Sequence, residues 1–138
     1  MVCLDTTVLV DFLRGREEAV KLLSKLLGSS EAVTMAAPTV FELVEGAEIA
    51  RSEMEKREIR EFLSSITVLS LDAEAAWTAG EISGSLVLSG NQIGQMDTLI
   101  GAIALAHGER LITRNVGHFS RIPSLQIEDY RGGTRRTH

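Results

Sequence analysis

Apolar and polar positions along the chain change their period several times, and each change marks an element. Val2–Leu4 is a short apolar run that predicts a strand, and Thr6–Arg14 is a helical stretch that Gly15 can end. Across Glu17–Leu27 the apolar residues Ala19, Leu22, Leu23, Leu26 and Leu27 keep helical spacing and stop at Gly28. Ala32–Ala36 predicts a second strand. Pro38-Thr39 opens a helix running to about Ala50, and Arg51–Leu63 continues as a charged helix with Glu53 and Arg57 at the i,i+4 spacing. Ile66–Leu71 alternates as a third strand. Asp72–Leu88 reads as a helix whose small residues Ala76, Ala79, Gly80, Ser83 and Gly84 permit close packing. After a polar loop over Ser89–Gln95, Asp97–His107 is a helix too apolar to face solvent, so it belongs in the core. Arg110–Thr113 and the shorter Leu125–Ile127 complete the strands. Strands alternating with helices predict an α/β fold, with a central parallel sheet of about four or five strands and helices on both faces.

Composition narrows the picture. At 138 residues and 44% hydrophobic the chain suits one domain with a real core, and no linker or repeat divides it. Cys3 is alone, so no internal disulfide can form, and it is expected as a buried strand thiol. One Cys with three scattered His excludes an ordinary zinc pattern. Met1–Val10 is interrupted by Asp5 and lacks a basic leader, while Leu99–Ala106 is far too short for a bilayer span. The expectation is therefore no membrane and a cytoplasmic location. A net charge of −5 argues against gripping nucleic acid by bulk charge, but suits an acidic centre that a cation neutralises.

In parallel α/β sheets, ligands gather beyond the carboxyl ends of the strands, near the point where strand order reverses. Asp5 ends the first strand, where it could equally cap the next helix. Glu42 opens a helix just after a strand; taken alone, Thr39-Val40-Phe41-Glu42 reads more simply as a capping box. Asp97 precedes an apolar helix, as a cap or as a ligand favoured by the helix N-terminus. Thr113 and Asn115 are neutral oxygen donors at a strand end, or an ordinary turn. The plainer readings give no reason for all of these to share one sheet edge. Three carboxylates converging there would repel, and a divalent cation with a partial water shell relieves that, which is the Mg²⁺ pattern.

These blocks carry a resemblance. The run from Leu4 to Gly15 (LDTTVLVDFLRG) resembles the opening of PIN-domain nucleases, particularly VapC-type toxins, and three later blocks match in order: Thr39–Gly46, Met96–Leu105 and Leu111–Pro123. The resemblance implies a PIN-like nuclease domain over 1–130 that hydrolyses RNA with Mg²⁺ or Mn²⁺. Asp5, Glu42 and Asp97 would be the acidic ligands, supported by Thr6, Thr113 and Asn115. Asn115 and His118 stand where many relatives carry further acids, which puts a tightly held second metal in doubt. Asp11 falls in the opening block but reads as structural, and His107 as a contact at a helix end. The family also implies a homodimer and a co-encoded antitoxin. Residues 131–138 form a basic tail expected to be flexible.

Two other functions stay open at this stage. One is a catalytically weak or inactive PIN-like module that binds an antitoxin or RNA. The other is a metal-dependent phosphatase, although Thr7 stands where the haloacid-dehalogenase type wants a second acid, and no phosphate-binding GxxxxGK[ST] loop is present.

Overall fold

The structure, a computed structural model, describes residues 1–131 and the short strand Arg136–Thr137. One sheet contains β1 Val2–Leu4, β2 Val33–Ala36, β3 Thr67–Leu69, β4 Arg110–Thr113, β5 Gln126–Asp129 and β6 Arg136–Thr137, in the order β3-β2-β1-β4-β5-β6. The first five strands are parallel, as expected, and β6 adds an antiparallel edge on β5. The helices are α1 Thr6–Leu13, α2 Glu17–Leu27, α3 Ala37–Ile49, α4 Glu53–Leu63, α5 Ala73–Leu88, α6 Gln95–Ala106 and α7 Val116–Phe119.

The period-2 alternation of the strands divides the core into two layers. Val2, Leu4, Met35 and Ile112 pack with Leu9 of α1, Leu23 of α2, Leu43 of α3 and Ile59 of α4. Cys3, Ala36, Leu111 and Ile127 pack on the opposite face with Ala75 of α5, Ile103 of α6 and Phe119 of α7. A Cβ at Gly101 would fall 2.4 Å from Ile122 Cδ1, which explains a glycine inside the apolar α6. Cys3 is fully buried and its thiol pKa is pushed up to about 12 by that burial, so it is inert at neutral pH.

Two sequence expectations need correction. Arg51–Leu63 does not continue the preceding helix: α3 ends at Ile49, Arg51 turns with φ 54°, and Ser52 caps α4 by accepting from the Glu55 N–H. Lys56, rather than Arg57, supplies the ion pairs there, with Glu48 and Glu53. The short α7 and β6 were not anticipated. Of the expected basic tail, residues 132–135 and 138 lie outside the described residues. Among those described, no helix is long and apolar enough to cross a membrane.

From β1 the chain steps outward to β2 and β3, then returns through α5 and α6 to place β4 on the other side of β1. The β1/β4 pair is therefore the switch point, and the crevice lies beyond the carboxyl ends of those two strands.

Candidate active site

Asp5 follows β1 into that crevice. It occupies the N-cap position of α1, yet its side chain makes no cap bond. Instead Oδ2 accepts from the Thr113 hydroxyl at 2.8 Å and from the Thr7 hydroxyl at 2.9 Å. Each hydroxyl is oriented by the loop after β4. Thr113 accepts from the Asn115 N–H and Thr7 from the Arg114 N–H, so their own protons point to Asp5. Asp5 is only 1% exposed. Burial raises its pKa, the Thr113 and Thr7 hydrogen bonds oppose that, and the charge of Asp97 raises it further.

Glu42 arrives on α3. The capping box does not form, because the helix begins at Ala37 with Pro38 in its first turn, leaving Thr39 inside it. Glu42 Oε1 accepts from Thr6 Oγ1 at 2.7 Å, and Thr6 Oγ1 lies 3.0 Å from Thr39 Oγ1. A hydroxyl has one proton to give. Thr6 gives it to the carboxylate, and Thr39 donates to Thr6. This relay ties α3 to the residue next to Asp5.

Asp97 is not a cap either: α6 starts at Gln95 with Gly94 as its N-cap. Its position in the first turn gives it the favourable end of the helix dipole. Asp97 Oδ2 meets Asn115 Nδ2 at 3.3 Å and His118 Nδ1 at 2.9 Å. His118 Nδ1 also lies 2.9 Å from Asn115 Nδ2, so Asp97, Asn115 and His118 form a three-way polar contact. His118 was registered in the sequence only as a missing acid. The available signal was its place three residues after Asn115, which stands at the N-cap of the short helix that carries His118.

All six expected residues thus meet at one edge. Asp5, Thr113, Asn115 and Asp97 form one hydrogen-bonded chain, and Glu42 joins through Thr6. Asp11 lies apart in an ion pair with Arg114, while Glu45 and Glu48 face solvent. Among the described residues, no three His, Cys, Asp or Glu side chains form a ready-made metal-ligating group. What the edge offers is a repelling pair, Asp5 and Asp97, with Glu42 held back by Thr6. The side-chain donors found among the described residues reach the Oδ2 atom of each aspartate.

This arrangement has a measurable cost. Protonated Asp5 favours the fold, because its folded pKa lies above the unfolded value of 3.8. That contribution is full below pH 3.8 and is lost as the pH rises through the folded pKa. Asp5→Asn keeps an acceptor for both hydroxyls and removes the charge. In EDTA at neutral pH the variant should melt above the parent. The gap should narrow on acidification. A variant that melts at or below the parent would contradict this reading of Asp5.

The strand order and the acid-lined switch point define the class, and the chain belongs to the PIN-domain family, whose model matches residues 2–125. More narrowly, it is similar to VapC ribonucleases. It is 32% identical over 126 residues to Ribonuclease VapC19 of Mycobacterium tuberculosis, covering 91% of this chain and 98% of that protein. It is 31% identical over 130 residues to the tRNA(fMet)-specific endonuclease VapC of Shigella flexneri, covering 92% and 96%. Among solved structures, VapBC-1 from nontypeable Haemophilus influenzae matches with a TM-score of 0.84 at 28% identity, over 95% of this chain and 99% of that one. VapBC2 from Rickettsia felis, bound to a promoter DNA fragment, matches at 0.81 and 26%, over 93% and 98%.

Proposed function

We propose that this chain is a divalent-metal-dependent endoribonuclease, the toxin of a toxin–antitoxin pair, with Asp5, Glu42 and Asp97 as its acidic centre. The observation that carries the reading is the Asp5–Asp97 pair at the switch point, with both Oδ2 atoms held by side-chain donors. A pair of carboxylates, rather than a closed cage, suits Mg²⁺ or Mn²⁺, which keeps several waters and takes one or two carboxylates. The bound ion supplies an activated water and neutralises charge developing at the phosphoryl group. Glu42 has one oxygen committed to Thr6, and the other orients the attacking water and takes its proton. Thr6, Thr113 and Asn115 fix the carboxylates before substrate arrives.

Metal binding has a readout separate from turnover. Millimolar Mn²⁺ or Mg²⁺ should raise the melting temperature of the parent, by about 2.7 kcal/mol of stabilisation at a concentration 100 times Kd. Asp5→Asn and Asp97→Asn should shrink that rise. An unchanged parent melting curve would count against the site. Metal-dependent cleavage also separates this reading from the inactive-module alternative, which expects RNA or antitoxin binding without hydrolysis.

The antitoxin partner is supported by the complexes to which the chain is similar, and by a groove of about 190 Å³ between α1, α3 and α4 that reaches Glu42. The homodimer is supported by α5. Its inner face buries Ala75, Ala79 and Leu86, while Trp77 (73% exposed), Gly80, Gly84 and Leu88 (90% exposed) form an outer stripe at helical spacing. Two copies of that stripe facing each other across a two-fold axis would bury it. Sedimentation equilibrium at micromolar concentration should therefore give about twice the 15.0 kDa chain mass, and Leu88→Glu should lower it towards one chain. A parent that sediments as a monomer would remove the dimer and leave the acidic centre untouched.

A further inference from the structure

Beside the acidic edge lies a second cluster that the proposed chemistry does not use. Asp11 is six residues beyond Asp5 along α1, about 9 Å further along the helix axis. It is 1% exposed, and its carboxylate is a hub. Arg114 Nη1 donates to its two oxygens at 2.9 and 3.0 Å, Arg16 Nε approaches at 3.3 Å, and the Tyr130 hydroxyl donates to it as well. Burial and the Asp11 contact push the Tyr130 pKa up to about 12, so its proton stays in place. Arg131 closes the group, with Nη2 donating to the Arg114 carbonyl at 3.5 Å and Nε to Asp129 at 3.4 Å.

The three arginines come from three separate loops, after α1, β4 and β5, yet they line one open cleft of about 430 Å³. Their side chains remain 59%, 35% and 48% exposed for Arg16, Arg114 and Arg131. Asp11 engages one nitrogen of Arg16 and one of Arg114, and their other guanidinium nitrogens have no partner among the described residues. Asp11 balances one of the guanidinium charges and Asp129, on Arg131, a second, so one of the three exceeds these ion pairs. Glu17 and Glu18 also line the cleft, and Glu17 is paired with Lys21 at 2.8 Å. Planar guanidinium forks held open to solvent match phosphate oxygens. The loop that carries Arg114 also places Thr113 on Asp5 and Asn115 on Asp97, so an anion in the cleft is in register with the acidic centre.

We propose that Arg16, Arg114 and Arg131 form a phosphate subsite that holds the RNA backbone beyond the scissile bond. It rests on the ribonuclease reading and adds to it where the strand runs. The contact is to the backbone, so it positions the strand without reading sequence.

The test is RNA affinity without cleavage. Fluorescence anisotropy of a labelled single-stranded RNA is measured over a salt series with Asp97→Asn protein, alone and combined with Arg16→Ala and Arg131→Ala. Losing one phosphate contact should weaken binding about tenfold, equally for unrelated sequences, and make the slope of log K against log salt shallower by about 0.7. Arg16→Lys with Arg131→Lys keeps both charges and should restore the slope. Both positions are about half exposed, and superimposable melting curves would show that the fold is retained. Unchanged affinity and slope in the alanine variant would overturn the subsite and leave the nuclease reading standing. So would a variant that loses affinity for an acidic peptide while binding RNA as before, since the cleft would then serve a protein partner. If the Asp97→Asn parent binds no RNA at all, the subsite and the ribonuclease reading fall together.

Discussion

Asp97→Asn is expected to lower kcat/KM for RNA cleavage by at least about a thousandfold, because each 1.36 kcal/mol of lost transition-state stabilisation costs a factor of ten and an acidic metal ligand supplies several. The substitution is nearly isosteric. Its amide oxygen can still accept from His118 Nδ1 and Asn115 Nδ2, which meet Asp97 Oδ2 at 2.9 and 3.3 Å, so the local geometry survives. What disappears is the negative charge facing Asp5. Removing that repulsion should leave the metal-free fold as stable as the parent or more so. Loss of activity together with retained stability separates a chemical role from a structural one. Single-turnover cleavage of a labelled RNA, with a melting curve on the same preparation, checks both halves. A variant retaining a tenth of the parent rate would show that Asp97 is not a ligand.

The second large effect is on stability. Asp11→Ala should cost about 2–4 kcal/mol, below the loss on breaking a sealed buried pair because Arg16 and Arg114 keep access to water. For a domain of this size that is a fall in melting temperature of roughly 6–12 °C. The carboxylate is the acceptor for Arg114 and Tyr130, so its removal loosens the loops after β4 and β5 together. Asp11→Asn keeps an acceptor oxygen and loses the charge, and should cost about half as much. Thermal or urea unfolding measures both. A loss under about 0.5 kcal/mol for the alanine variant, the range of an ordinary surface site, would mean that the hub does not hold these loops.

Much of the frame was legible in the chain, and the reasons are local. Strands β1 and β2 announce themselves by short apolar runs followed at once by helical periodicity, and β4 by an apolar run that ends in a turn. Asp5 and Thr113 lie at those strand ends and Glu42 in the second turn of the helix after β2, so finding the strand ends led to the candidate site. Local pattern misled where two structures share one spacing. Thr39 and Glu42 satisfy a capping box, but Pro38 favours the first helical turn, and that moves the helix start back and releases Glu42 to Thr6. Arg51 breaks the third and fourth helices with one residue at positive φ, which a charge period cannot register.

What stayed out of reach depends on residues far apart in sequence. Thr7 and Thr113 become donors to Asp5 only because backbone N–H groups of the β4–α7 loop occupy their oxygens. Asp11 meets Arg114 and Tyr130 across 103 and 119 residues. Glu109 is buried and accepts from Thr34 at 2.6 Å, a partner 75 residues away. His118 is the instructive case. Comparison with an acidic motif marks it as a departure, while the fold puts it directly on Asp97.

The central claim is that the Asp5, Glu42 and Asp97 edge hydrolyses RNA with a divalent ion. Cleavage of a labelled single-stranded RNA by the purified chain, with Mg²⁺ or Mn²⁺, after EDTA, and after the metal is restored, tests it most directly. The account predicts internal cleavage with metal, arrest by EDTA and recovery on adding Mn²⁺ back. Cleavage that continues undiminished in EDTA, or RNA left intact at millimolar Mn²⁺ and Mg²⁺ by the folded protein, would contradict it.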